Sequence, residues 1–204
     1  MAKLATQDIQ VVQQVAAQTA ALLINNPRYA QHADAPPLAT LHEYFPLWIL
    51  GSEALERLRR DVVVGIEEVE LCSYLERSPL WLYLLHRRGQ PAAYVLSRAG
   101  AGGQRVIEVS ETTEAIQLSL AVTRVDDISK DEALEAVILD CPRVGAAALL
   151  LMRPDGRAAQ VCQFRNPAAT SDWTPGTPVA PSAFIESLLD LLQRLDTPVR
   201  PALR

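Results

Sequence analysis

The run Arg153-Pro154-Asp155-Gly156-Arg157 restricts this chain's fold more than any other part of it. Proline presets the backbone angle that opens a turn and glycine accepts the positive φ that closes one, so the chain reverses direction here. Apolar stretches abut the turn on both sides, Ala146 to Met152 and Ala158 to Phe164. Two such runs joined by a tight reversal predict a β-hairpin, and a hairpin pairs its strands antiparallel.

Other segments extend this reading. Ile9, Val12, Val15, Ala16, Thr19, Leu22 and Leu23 recur at helical spacing after Thr6, with Gln10, Gln13, Gln14 and Gln18 largely on the opposite side. That pattern predicts an amphipathic helix capped by Thr6 and ending near Asn25-Asn26-Pro27. Residues 28–40 read as a loop, and Pro46 argues against one continuous helix through Leu41 to Leu50. Ser52 opens a second helix through Leu55, Leu58 and Val62, so the first 75 residues are expected to be mostly helical. Leu80 to Leu85 and Ala92 to Leu96 flank a turn and predict a hairpin, although the first run also suits a buried helical turn. Arg105 to Val109 predicts a strand, preceded by the flexible Ala99 to Gly103. Ile116, Leu118, Leu120 and Val122 alternate with Gln117, Ser119, Ala121 and Thr123, which predicts a half-buried strand. Ser129 to Glu132 has the spacing of a capping box before a short helix over 133–139. A loop over 166–181 leads into a final helix that carries Phe184, Ile185, Leu188, Leu189, Leu192 and Leu195 on its apolar side. The expected fold class is α+β: a helical N-terminal region, 1–77, followed by an antiparallel sheet with flanking helices, 78–196, in one continuous domain or two.

Composition narrows the function. The 204 residues are 49% hydrophobic and 21% charged, enough apolar material for a packed core. A net charge of −5 offers no positive field to gather phosphates, which argues against nucleic acid as a partner. Cys72, Cys141 and Cys162 are odd in number and far apart, which fits a reducing cytosol better than a disulfide framework. The start of the chain lacks the apolar stretch of a signal peptide. The most apolar run, Val144 to Met152, falls well short of the roughly twenty residues a bilayer-spanning helix needs. The expectation is a cytoplasmic protein that does not span a membrane.

Chemistry-bearing motifs are sparse. His32, His42 and His86 form no short-range metal pair, and Glu67 with Glu70, or Asp126 with Asp127, fit a solvated surface. The glycine-rich Ala99 to Gly103 leads into a strand and lacks both the dinucleotide spacing and the P-loop ending. No Gly-x-Ser-x-Gly elbow occurs. Cys141, before Pro142, is expected to be the most exposed thiol, with Cys72 and Cys162 as small core fillers. No cofactor, metal or catalytic residue is therefore assigned. Arg57, Arg59 and Arg60 read as a solvated face neutralised by Glu53 and Glu56.

Trp48 and Trp81 lie in apolar runs and are expected in the core. Trp173 stands in a polar, proline-bearing loop, as a loop anchor or as a contact for a partner. Trp173, Phe184 and Leu188 are the candidate partner-binding residues. The expected order from Ala92 onward, three strands, helix, two strands, helix, is similar to that of bacterial type III secretion chaperones, acidic dimers that hold effector segments. That likeness covers about half the chain and implies a binding role. The leading expectation is a non-catalytic accessory module, adaptor, chaperone-like or immunity-type, that takes a protein or peptide, with a homodimer as a further expectation. An accessory subunit presenting a peptide to a modifying enzyme and a small enzyme whose site assembles only in three dimensions are the alternatives.

Overall fold

A computed structural model describes residues 9–25, 39–65, 69–87, 90–111, 113–128, 134–169 and 173–197. The Thr6 cap, His32, Glu67 and the Ser129 to Glu132 box lie outside them, as do the side chains of His42, Asp126 and Asp127. The described elements are α1 (Ile9–Asn25), β1 (Ala39–Ile49), α2 (Ser52–Val64), a 3-10 turn (Leu71–Tyr74), β2 (Glu76–Arg87), β3 (Gln90–Gly100), β4 (Gly103–Glu111), α3 (Thr113–Ile128), β5 (Glu135–Cys141), β6 (Ala146–Met152), β7 (Ala158–Arg165), β8 (Pro178–Val179) and α4 (Pro181–Asp196). The class is α+β.

The strands form one eight-stranded sheet in the order β4-β3-β2-β1-β5-β6-β7-β8. Every neighbouring pair is antiparallel except the central β1 and β5, which run parallel with Leu47 opposite Ile138 and Ile49 opposite Asp140. The predicted hairpin is β6–β7: Gly156 sits at φ +83°, and the Arg153 and Arg157 backbones close the turn at 2.9 Å. β2 and β3 form the other predicted hairpin.

Three expectations are overturned. The alternating run from Ile116 to Thr123 is not a strand but the middle of α3. Ala115, Leu118, Ala121 and Val125 are buried while Ile116 and Leu120 are exposed, so burial follows the helical period. Of the helix expected over 133–139, residues 135–139 are instead strand: they belong to β5, between β1 and β6, where both faces are covered and Val137 and Ile138 suit the pleat. Within the N-terminal part expected to be mostly helical, residues 39–49 form β1 at the centre of the sheet. Pro46 is accommodated because the β1–β2 register slips between Pro46 and Trp48, where a missing N–H breaks no regular ladder. With two strands then a helix after Gln90, the order on which the chaperone likeness rested is not the order of this molecule.

Helices cover both faces of the sheet. On one face α1 packs on β2–β4 through Val15, against Tyr83, Val95 and Val106. α2 and α4 cover β5–β7 through Leu55, Leu58, Phe184 and Leu188. On the other face α3 works alone, burying Leu118 and Val125 against Phe45, Leu82, Ile138, Leu149 and Phe164. α3 packs closely on both β3 and β7, which are five strand spacings apart. It comes closer to those outer strands than to the central β1 and β5 between them, so the sheet curls around α3.

Candidate functional surface

α3 fills the trough of the curled sheet with small residues. Ala121 lets the loop before β8 approach so closely that a Cβ at Gly176 would stand 2.6 Å from the Ala121 Cα. Gly176 donates its N–H to Gln163 at 2.7 Å, and Arg124 donates to the Thr177 hydroxyl at 3.0 Å. This loop carries the partly exposed Trp173 and meets α3 at the buried Ala121, and the helix turns a different side to solvent. There Ile116 and Leu120, one helical turn apart, are 43% and 46% exposed.

A charged cluster holds the N-terminal end of α3. The Arg165 guanidinium binds the Asp140 carboxylate, lies 3.6 Å from Glu114, and donates through Nε to the Gly145 carbonyl at 3.0 Å. Burial pushes the Asp140 carboxyl above its ordinary value; Arg165 opposes that shift and Glu114 adds to it. Burial also raises the Tyr94 phenol, against the lowering effect of its hydrogen bond with Ser110, while Glu114 and Glu108 raise it further. Sequence reasoning missed this cluster. Its signal was a charged residue ending an apolar strand, at Asp140 and again at Arg165. Both carboxylates face a guanidinium, the arrangement of a structural tie rather than of a free acid and base.

The thiols are protonated at neutral pH. Burial raises Cys72 to about 12, with Glu70 adding to the shift, and raises Cys141 and Cys162 each to about 11. The expected ranking of exposure is reversed: Cys141 is buried at the end of β5, while Cys72 is partly exposed. A thiol in either state is a poor nucleophile, because the thiolate is the reactive form.

His86 and Cys141 cannot share a cavity. His86 pairs across the sheet with Thr40 at the start of β1, where its Nε2 lies 3.5 Å from Glu43. Cys141 follows Asp140, which stands opposite Ile49 at the far end of β1. Nine residues of strand separate the two ends by about 30 Å. Among the described residues no group of three or more His, Cys, Asp or Glu side chains is placed to hold a metal ion.

The candidate partner-binding residues do not come together. Phe184 and Leu188 are 1% and 0% exposed and fix α4 to the sheet, so neither presents surface to a partner. Trp173 alone of the three keeps exposed area. Trp48 and Trp81 are partly buried and pack against the core. Arg59 meets Glu56 at 2.6 Å and Asp196 at 2.9 Å, and Arg143 bridges the same two acids, so part of the α2 basic cluster ties α2 to the end of α4. No helix among the described residues is long and apolar enough to cross a membrane. No family model, curated protein or solved structure matches this chain.

Proposed function

We propose that this chain is a non-catalytic module of the cytoplasm that binds another polypeptide. The observation that carries the reading is the exposed pair Ile116 and Leu120 on a helix whose opposite stripe is fully buried. Two large apolar side chains at i and i+4 on one exposed helix face suit an apolar stretch of a partner chain. The protonated thiols and the neutralised carboxylates leave shape and apolar area as the means of activity. Unpaired cysteines accord with a reducing compartment.

Affinity purification of the full chain from its native cell, followed by mass spectrometry, tests this reading. One stoichiometric protein partner is expected, and the double variant Ile116→Asp, Leu120→Asp should release it while keeping the native circular dichroism spectrum. Recovery of the chain alone, turning over a metabolite, overturns the reading.

A further inference from the structure

The sheet runs outward from its centre in chain order on both sides, β1 to β4 one way and β5 to β8 the other. Each half is an antiparallel meander, and the halves meet at the parallel pair β1 and β5. Each half also has a helix before its first strand and a helix after its last. α1 precedes β1 and lies on one face of the sheet, while α3 precedes β5 and lies on the other. α3 follows β4 on that second face, and α4 follows β8 on the first. An approximate half-turn about a line along the strands, between β1 and β5, exchanges the two sides and the two faces and keeps every strand direction. It carries the first arrangement onto the second.

Residue detail repeats with the order. Leu84-Leu85-His86-Arg87 runs into the β2–β3 turn, and Leu150-Leu151-Met152-Arg153 runs into the β6–β7 turn. Leu84 packs on the α3 face and Leu85 on the α1 face, whereas Leu150 packs on the α4 face and Leu151 on the α3 face, the exchange that a half-turn demands. Both hairpins then bulge at the same step. Leu85 pairs with Ala93 and His86 with Pro91, passing over Ala92; Leu151 pairs with Gln160 and Met152 with Ala158, passing over Ala159. The turns themselves differ, with two residues between Arg87 and Gln90 but three between Arg153 and Arg157, so the shared bulge is not imposed by turn length. Ahead of each fourth strand stands a glycine with positive φ, Gly103 at +99° and Gly176 at +73°, set against the helix that opens its half, at Gln14 of α1 and at Ala121 of α3. About one turn further along each helix a side chain reaches the chain just past that glycine. Gln18 donates to the Gln104 carbonyl at 3.0 Å and accepts from the Val106 N–H at 2.9 Å, and Arg124 donates to the Thr177 hydroxyl at 3.0 Å. Thus Gln14 and Gln18, expected on the solvent side of α1, lie against β4 instead.

We infer that this chain is a tandem pair of one unit, a helix followed by a four-stranded meander, in which α3 serves twice. It closes the first unit as α4 closes the second, and it opens the second as α1 opens the first. α2 and the 3-10 turn are then an addition to the first unit, standing where the second passes from β5 to β6 through the turn closed by Pro142 and Gly145. The pairing also shows where the units part. Setting Leu118 of α3 on Leu188 of α4 matches the buried Ala115 and Ala121 with the buried Ile185 and Leu191. Ile116 and Leu120 then fall on Glu186 and Asp190, and all four are exposed. An outward helix face that is acidic in one unit is apolar in the other. The polypeptide-binding reading uses that apolar face, while the repeat rests on the backbone and stands without it.

The unequal turns supply the test, made in the full chain. Arg88 to Ala92 is replaced by Pro154 to Ala159, six residues for five. In equivalent hairpins Ala159 takes the bulge position of Ala92, and β3 keeps its register beyond it. A second graft, Pro154 to Ala158, preserves the chain length but supplies no residue for the bulge. Its proline cannot take the positive φ that a two-residue hairpin turn requires, so β3 slips by one residue and Tyr94 and Val95 exchange faces. The six-residue graft should keep the native circular dichroism spectrum and a urea midpoint within about 0.5 M of the unmodified chain, and the five-residue graft should fall below it by more than about 1 M or fail to fold. Amide protection along β3 and β4 should survive in the longer graft alone. A six-residue graft that loses more than about 0.5 M, or a five-residue graft that comes within about 1 M of it, overturns the inference.

Discussion

Gly176→Ala isolates the close approach between the Trp173 loop and α3. Two costs add at this position. Gly176 has φ +73°, a left-handed conformation that costs a residue with a Cβ about 1–2 kcal/mol. The added Cβ would also meet the Ala121 Cα at 2.6 Å, its N at 2.8 Å and its Cβ at 3.1 Å. Carbon atoms rest at about 3.5–4.0 Å, so the loop or the helix must give by about 1 Å, an overpacking cost of about 1–3 kcal/mol. Gly156→Ala supplies the control, because Gly156 has φ +83° and nothing within 4 Å of its added Cβ. It should cost only the conformational share. Urea unfolding monitored by circular dichroism, with unchanged m-values, should therefore place Gly176→Ala below Gly156→Ala by about 1–3 kcal/mol. Ala121→Gly should not rescue Gly176→Ala, since the nearest atoms are backbone. Equal stability of the two alanine variants within about 0.5 kcal/mol, or full rescue by Ala121→Gly, would refute the packing argument.

Three further outcomes follow from the buried groups. In the native chain at pH 7 all three thiols should react slowly with Ellman's reagent and all should react promptly after unfolding; one fast native thiol would contradict the pKa values raised to about 11 and about 12. Phe184→Ala should destabilise by about 3–5 kcal/mol and Leu188→Ala by about 2–5 kcal/mol in chemical unfolding, because both anchor α4; losses below about 1 kcal/mol would mean that they are not core residues. The raised Asp140 carboxyl binds its proton more tightly in the folded than in the unfolded chain. Its unfavourable contribution is therefore absent below the unfolded value and fully present above the folded one. The stability of Asp140→Asn relative to the unmodified chain should accordingly rise with pH through that window, and a flat or falling difference measured from about pH 3.5 to about pH 6 would contradict it.

The parts of this fold that were legible in the sequence are those decided within a few residues. The Pro154-Asp155-Gly156 turn specifies β6–β7 by backbone chemistry alone, and α4 announces itself through a stripe of Phe184, Ile185, Leu188 and Leu192, all of which are buried. The segments misread were decided by what lies across the sheet. In α3, Leu118 satisfies both a two-residue and a helical period, so the choice rested on whether Ala115 and Ala121 or Ile116 and Leu120 faced the core. A hydrophobicity count favours the larger pair. The curled trough favours the smaller one, because Gly176 must pass within touching distance of Ala121, and that neighbour is more than fifty residues away in the chain. β5 repeats the lesson: Ala133 to Leu139 suits a short helix by composition, yet β1 and β6 hold Glu135 to Leu139 extended in a central strand. The exposed Ile116 and Leu120 are thus the remainder of that decision, apolar side chains left outside because the trough admitted alanine, and this is why the surface that carries the functional reading could not be seen before the sheet was closed around α3.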